Sequence, residues 1–139
     1  MAIKTLNPLK YRITFGPVIM AGFGDDAVEV EYTEDDYEVV AGCDGEVTMT
    51  SSTRRDVRVR VTLKQTSNTN DALSAIRTAD KITGAGILPL TIVDGSGRTA
   101  VFADSARIVK APTLGLGNTA KDHVWEFHTG DAIVHIGGN

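Results

Sequence analysis

A chain of 139 residues with 42% apolar and 23% charged content fits one folded, soluble unit, with enough length to bury its own core. Its net charge of −4 and 6% aromatic content argue against a nucleic-acid binder, which needs cations to hold phosphates. No apolar run reaches the roughly 20 residues of a membrane span, the N-terminus lacks the apolar core of a secretory signal, and the single Cys43 excludes an intrachain disulfide and suits a reducing compartment.

In chain order, period-two alternation dominates. Tyr11 to Phe15 and Val18 to Met20 read as short strands separated by Gly16-Pro17, where proline cannot donate to a ladder. Gly22 and Gly24 are turn or bulge positions. The segment Gly24 to Glu38 holds eight carboxylates and no cation, yet AVEVEY within it alternates: Val28, Val30 and Tyr32 on one face, Glu29 and Glu31 on the other. That predicts a strand, and Glu34 to Glu38 is then predicted as a loop. Cys43-Asp44-Gly45 has turn chemistry. EVTMT repeats the alternation, with Val47 and Met49 opposite Glu46, Thr48 and Thr50.

DVRVRVTLK is the clearest strand, with Val57, Val59, Val61 and Leu63 inward and Arg58, Arg60, Thr62 and Lys64 outward. The next stretch predicts the one helix, with Asn70 as N-cap, an apolar stripe of Leu73, Ile76, Ala79 and Ile82 or Thr83, and Gly84 just past its end. ILPLTIVD and RTAVFAD flank Gly95-Ser96-Gly97 as a hairpin. ARIVKA, HVWEFHT and AIVHI complete about ten strands. The expected fold is mainly β: a β-sandwich or barrel with one flanking helix.

Catalytic chemistry is hard to place. GLGNTA at 115–120 imitates a dinucleotide fingerprint but precedes a strand, whereas a pyrophosphate needs a helix N-terminus there. His123, His128 and His135 cluster late, but His123 and His128 fall on opposite strand faces, and no acidic or thiol partners are expected beside them for a zinc site. Cys43 sits beside Asp44 and Glu46, which oppose thiolate formation. The acidic segment lacks the EF-hand register of alternate acids, central glycine and terminal glutamate. Trp125 and Phe127 share a strand face and suit a core better than base stacking. The expectation is therefore no enzyme, no catalytic residues, no cofactor and no metal.

Charge carries more. Ten of the 18 acids lie from Asp25 to Glu46, no Lys or Arg occurs between Arg12 and Arg54, and then Arg54, Arg55, Arg58, Arg60 and Lys64 arrive within eleven residues. Such segregation suits either solvated hairpins or a protein that associates with itself through complementary faces.

The order of motifs resembles the tail tube proteins of contractile-tailed bacteriophages: MAGFGDDAVEVEY, AGCDGEVT, VTLKQTSNTNDALSAI, LPLTIVDGSGRT, VWEF and the terminal IGGN. The resemblance runs nearly the whole chain, so residues 1–139 are expected to form one tail tube domain. It implies a structural virion protein assembled in the host bacterial cytoplasm, forming stacked hexameric rings. A sheath would lie outside, a baseplate and tail terminator at the ends, and DNA would pass through without specific binding. Glu29, Glu31 and Glu46 are the lumen-facing candidates, since carboxylates repel phosphates. Glu34, Asp35, Asp36 and Glu38 are candidates to meet Arg54, Arg55, Arg58 or Arg60 of a neighbouring subunit. The alternatives are a bacteriocin or secretion-like tube of the same fold, or a monomeric β-sandwich binding module.

Overall fold

A computed structural model describes residues 3–5, 8–95 and 97–138, with the side chains of Pro8, Asp25 and Asp26 outside the described set. A short 3-10 turn at Pro8–Lys10 leads into β1 (Tyr11–Phe15) and β2 (Val18–Ile19). Then come β3 (Phe23–Tyr32), β4 (Tyr37–Ala41), β5 (Val47–Ser51) and β6 (Val57–Leu63). The helix α1 (Thr69–Thr83) is followed by β7 (Leu88–Asp94), β8 (Ala100–Lys110), β9 (His123–Thr129) and β10 (Ala132–His135). The fold class is the one expected: mainly β with a single helix among the described residues.

Eight strands form one antiparallel sheet in the order β2-β1-β7-β8-β9-β6-β3, with β10 added to β8. Its inner face is built by alternation: β6 buries Val57, Val59, Val61 and Leu63 and turns Arg58, Arg60 and Thr62 away. Each such buried side chain contributes roughly 1.5–3 kcal/mol. The rings of Phe15 on β1 and Phe127 on β9 meet edge to face at 4.9 Å, although two strands separate them in the sheet order. The sheet must therefore curl, bringing its two halves together over one core.

The strand β8 is where the curl is made. It pairs with β10 through residues 100–103, with β7 through residues 100–106 and with β9 through residues 106–110. Between them the register jumps: Ala103 faces Leu90 and Ala106 faces Leu88, three residues against two. This bulge adds twist and moves the buried positions from Val101 and Ala103 to Ala106 and Ile108. RTAVFAD and ARIVKA, which alternation separates into two strands, are thus one. A strand is also gained where a loop was expected: Tyr37 and Glu38 open β4, so the linker from β3 ends at Asp36. The total of ten strands is matched only because these two differences cancel.

Asn70 is not the N-cap. That position belongs to Asn68, whose side chain makes no capping bond, and the Ser67 hydroxyl instead accepts the Thr69 N–H at 3.3 Å. Asn70 clips three elements together: its Nδ2 donates to the carbonyls of Lys64 and Ser67, and its Oδ1 accepts the indole N–H of buried Trp125 at 3.0 Å. Gly84 ends the helix at φ 72°, a left-handed conformation that a side chain would oppose, with its N–H on the Asp80 carbonyl. Leu73 is buried and Ile76 half-buried, but Ala79 and Ile82 of the expected stripe face outward. The helix packs through its first half only.

Candidate assembly face

The outward side of β3, β6 and β9 is a ladder of opposite charges. Pairing sets Glu29 against Arg60, Glu31 against Arg58, and Arg60 against Glu126 on the far side. The Arg60 guanidinium reaches all three carboxylates: Nε to Glu126 at 2.8 Å, Nη1 to Glu31 at 2.9 Å and to Glu29 at 3.8 Å. The hydrogen bond from Arg60 holds the Glu126 carboxyl below the usual carboxylate range despite partial burial, and its carboxylate partners raise Arg60 in turn. Exposed pairs of this kind contribute little each, about 0–1 kcal/mol, but they fix which charges point outward.

A second cluster lies at the Tyr32–Val57 end of the same ladder. Asp56 accepts Arg54 Nε at 3.0 Å and Nη2 at 2.7 Å, and its other contact is His128 Nε2 at 2.6 Å. The Thr33 hydroxyl donates to it as well. The bonds from Arg54 and His128 drive the Asp56 carboxyl far below its ordinary value. The Ala132 N–H donates to the Arg55 carbonyl at 3.0 Å, tying β10 to this corner.

These contacts sort the expected site residues. Glu29 and Glu31 stand together on β3, whereas Glu46 lies at the turn between β4 and β5, apart from them. Glu34 accepts the Ser52 hydroxyl, and the Asp36 carbonyl accepts the Ser52 N–H at 2.7 Å, so the linker is braced against its return strand. Arg54 and Arg60 are engaged within the chain; Arg55 and Arg58 are exposed. Sequence reasoning did not single out Asp56, Glu126 or His128 for this face. The signal for Glu126 was its position opposite Arg60, 66 residues away in sequence, and only the β6–β9 register supplies it.

The β4–β5 hairpin differs from everything else. All ten of its strand residues are exposed, and it forms a separate two-stranded sheet. Asp44 Oδ1 accepts the Glu46 N–H at 3.1 Å, and Gly45 adopts φ 86°, as its turn chemistry predicts. Cys43 is exposed in this turn. Among the described residues, no cluster of three or more His, Cys, Asp or Glu is placed to hold a metal ion. Among the described residues, the large sheet also ends on unclosed edges: β3 pairs only with β6, and β2 only with β1.

Comparison with known proteins gives this geometry its family. Residues 13–137 match the model of the bacteriophage PhiTE tail tube protein family. A structural protein, ORF10, of Pseudomonas phage KPP10 is 30% identical over 123 residues, covering 86% of this chain and 71% of its own. Among solved structures, the cap of the anti-feeding prophage superposes with a TM-score of 0.66 at 10% identity, over 97% of this chain and 94% of that one. A chain of the virion of a native gene transfer agent gives 0.65 at 11% identity, over 95% and 100%. A chain of the extended sheath–tube complex of the extracellular contractile injection system PVC gives 0.61 at 10%, over 94% and 91%. At such low identity the solved structures speak for the shared fold, while the family match and the phage relative speak for kinship. The chain belongs to the bacteriophage PhiTE tail tube protein family.

Proposed function

We propose that this chain is the repeating subunit of a phage tail tube, assembled as stacked hexameric rings through which DNA leaves the virion, with a sheath outside and a baseplate and terminator at the ends. The observation that carries the reading is the family match across residues 13–137, on a chain whose sheet ends on unpaired edges. A long exposed edge invites pairing with another chain, and closure around a ring leaves no edge unpaired.

The charge ladder gives the lumen a mechanism if β3, β6 and β9 line it. A bare cation there would bind phosphate and hold the DNA back. Arg60 is surrounded by Glu29, Glu31 and Glu126, so its charge is answered before DNA arrives. The carboxylates of β3 act less as a uniform negative coat than as a mask over Arg60, with Glu46 adding charge from the hairpin. Removing them leaves Arg60 answered by Glu126 alone. The family match supports a structural role for the chain.

Negative-stain electron microscopy of the purified protein over a concentration series, with sedimentation velocity alongside, tests assembly; stacked six-fold rings are expected. In the virion, the triple substitution Glu29→Gln, Glu31→Gln, Glu46→Gln is expected to leave tubes intact and to slow or block DNA ejection. Unchanged ejection kinetics in that mutant would remove these residues from the lumen. The fold shared with the PVC tube complex supports a second reading, a tube with a cargo other than DNA. For that tube the same mutant would assemble and show no ejection phenotype.

A further inference from the structure

Two short linkers join the β4–β5 hairpin to the large sheet, four residues from Thr33 to Asp36 and five from Ser52 to Asp56. The β3–β6 ladder stops at Tyr32 and Val57, and the hairpin ladder begins at Tyr37 and Ser51. In the gap the Ser52 N–H bonds to the Asp36 carbonyl, and the Ser52 hydroxyl donates to Glu34 and accepts the Arg54 N–H at 3.2 Å. These bonds tie the linkers to each other, not to the sheet. The hydrophobic core takes no residue from the hairpin. Neither a continuous ladder nor apolar packing therefore fixes the angle at which the ribbon leaves the sheet.

The bonds that reach the sheet meet on one side chain. The half-buried Asp56 carboxylate receives four of them: Oδ1 accepts the Thr33 hydroxyl at 3.2 Å and Arg54 Nε at 3.0 Å, and Oδ2 accepts Arg54 Nη2 at 2.7 Å and His128 Nε2 at 2.6 Å. An ionised carboxylate offers about four acceptor sites, so this one is saturated. The bond from Arg54 above all keeps it ionised, so it can only accept, which assigns the facing proton to His128 Nε2. Its donors come from three places: Thr33 opens the outgoing linker, Arg54 lies in the return linker, and His128 stands on β9 in the body of the sheet. Asp56 itself adjoins Val57, the buried first residue of β6. Two weaker ties accompany it: the Thr33 hydroxyl also lies 3.2 Å from the Asp56 carbonyl, and the Ala132 N–H holds the return linker at the Arg55 carbonyl. An open polar cavity of about 270 Å³ lies beside this hub, with Thr33, Arg55, Ala132 and Val134 in its lining, and leaves the ribbon room to swing.

We propose that Asp56 is the positioning residue of the hairpin, a hinge lock that holds the ribbon at one angle to the large sheet in the free chain. Without the carboxylate, Arg54 and His128 lose their common acceptor, and Thr33 keeps only the Asp56 carbonyl. The ribbon then turns on two short lengths of backbone beside open space. Charge-assisted bonds to one saturated acceptor suit this task, because they are directional and stronger than neutral ones. The lock acts before any association: a ribbon already held in one direction is preorganised, so its ordering is no part of the cost of meeting a partner. It is a property of the free chain and stands or falls independently of the tube reading.

Pulsed electron paramagnetic resonance on dilute protein tests this. Nitroxide labels are placed on the exposed native Cys43 in the hairpin turn and on Ser74→Cys, an exposed position of α1. The labelled parent is expected to give one narrow distribution of distances. Asp56→Asn keeps the shape of the side chain, but whichever way the amide turns, its NH2 faces an N–H of Arg54. That variant is expected to lose the narrow peak to a broad distribution, with circular dichroism and hydrogen exchange of the hairpin amides as in the parent. Thr33→Val removes only the outgoing contact and is expected to broaden the peak less; it keeps the test open if Asp56→Asn does not fold. A narrow peak at the parent distance in every variant that folds overturns the proposal, and so does a broad distribution in the parent. Broadening joined to faster hydrogen exchange throughout β4 and β5 also overturns it, since Asp56 would then hold the hairpin together instead of aiming it.

Discussion

The strands β5 and β6 follow one another in sequence and share one pattern, yet they end in opposite surroundings. In VTMTS and VRVRVTL alike, apolar residues alternate with polar ones. The apolar side of β6 is fully covered: Val59, Val61 and Leu63 are completely buried in the hydrophobic core. The apolar side of β5 faces water. Alternation therefore specifies that a segment is extended and which side wants cover, but not which molecule provides it. For β6 the cover lies in the same chain; for β5 the chain supplies none.

The largest effect expected from breaking this comparison is on the covered side. Phe127→Ala removes a completely buried ring that packs edge to face on Phe15 at the joint between the two halves of the sheet. Truncation of a buried phenylalanine costs about 3–5 kcal/mol, a large share of the stability of a chain this size. Urea denaturation of the isolated chain is expected to show a midpoint lowered in proportion, and assembly to fail because the subunit does.

A smaller effect belongs to the charge ladder, and pH brings it out. Asp56 and Glu126 have carboxyls depressed by Arg54 and Arg60 respectively. A depressed carboxyl stabilises the fold fully above its unfolded pKa, roughly 4, and that contribution is lost as pH falls through the lower folded value. Stability is thus expected to be level from neutral pH down to about 5 and to decline below about 4. Arg60→Gln removes the cause of the Glu126 depression and leaves three carboxylates together. It is expected to lower stability at neutral pH and to flatten part of the acid-side decline. A chemical-denaturation series at several pH values checks both signs; parallel curves for Arg60→Gln and the parent would remove Arg60 from this role.

The same contrast explains what could be read in the sequence. The strands β1, β6 and β9 were legible because both of their faces are resolved within the chain, apolar side in and charged side out. The strand β4 was missed because YEVVA follows a run of carboxylates and carries adjacent valines, Val39 and Val40, which break strict alternation; on a ribbon with both faces exposed, neither valine is forbidden. The strand β8 was split because its bulge changes the phase of burial in mid-strand. On the candidate face, Glu29, Glu31, Arg58 and Arg60 were visible as the polar sides of two strands. Their partners Glu126 and His128 were not, because alternation within one strand carries no information about which distant strand lies beside it.

The smallest expected effect on the isolated chain falls on the uncovered side. Val39→Asp places a charge at the centre of the hairpin's apolar face, opposite Met49, where the chain itself makes no burial. Surface substitutions of this kind usually change stability by no more than about 0.5 kcal/mol. Even if the hairpin loosened, the core of the large sheet would lose no packing, since that core contains no residue from β4 or β5. The denaturation midpoint of the monomer is therefore expected to match the parent. Association is a different matter, because any partner surface that covers this apolar face in an assembled tube would bury the new carboxylate among apolar side chains without a partner, which costs far more than leaving it in water. Sedimentation velocity is expected to show the variant monomeric at concentrations where the parent forms rings. A variant that loses both properties together would make β4 part of the folding unit. One that keeps both would mean that the apolar face of the ribbon remains in water after assembly. Only the split outcome, an intact subunit that does not associate, matches a strand whose apolar face is covered from outside the chain.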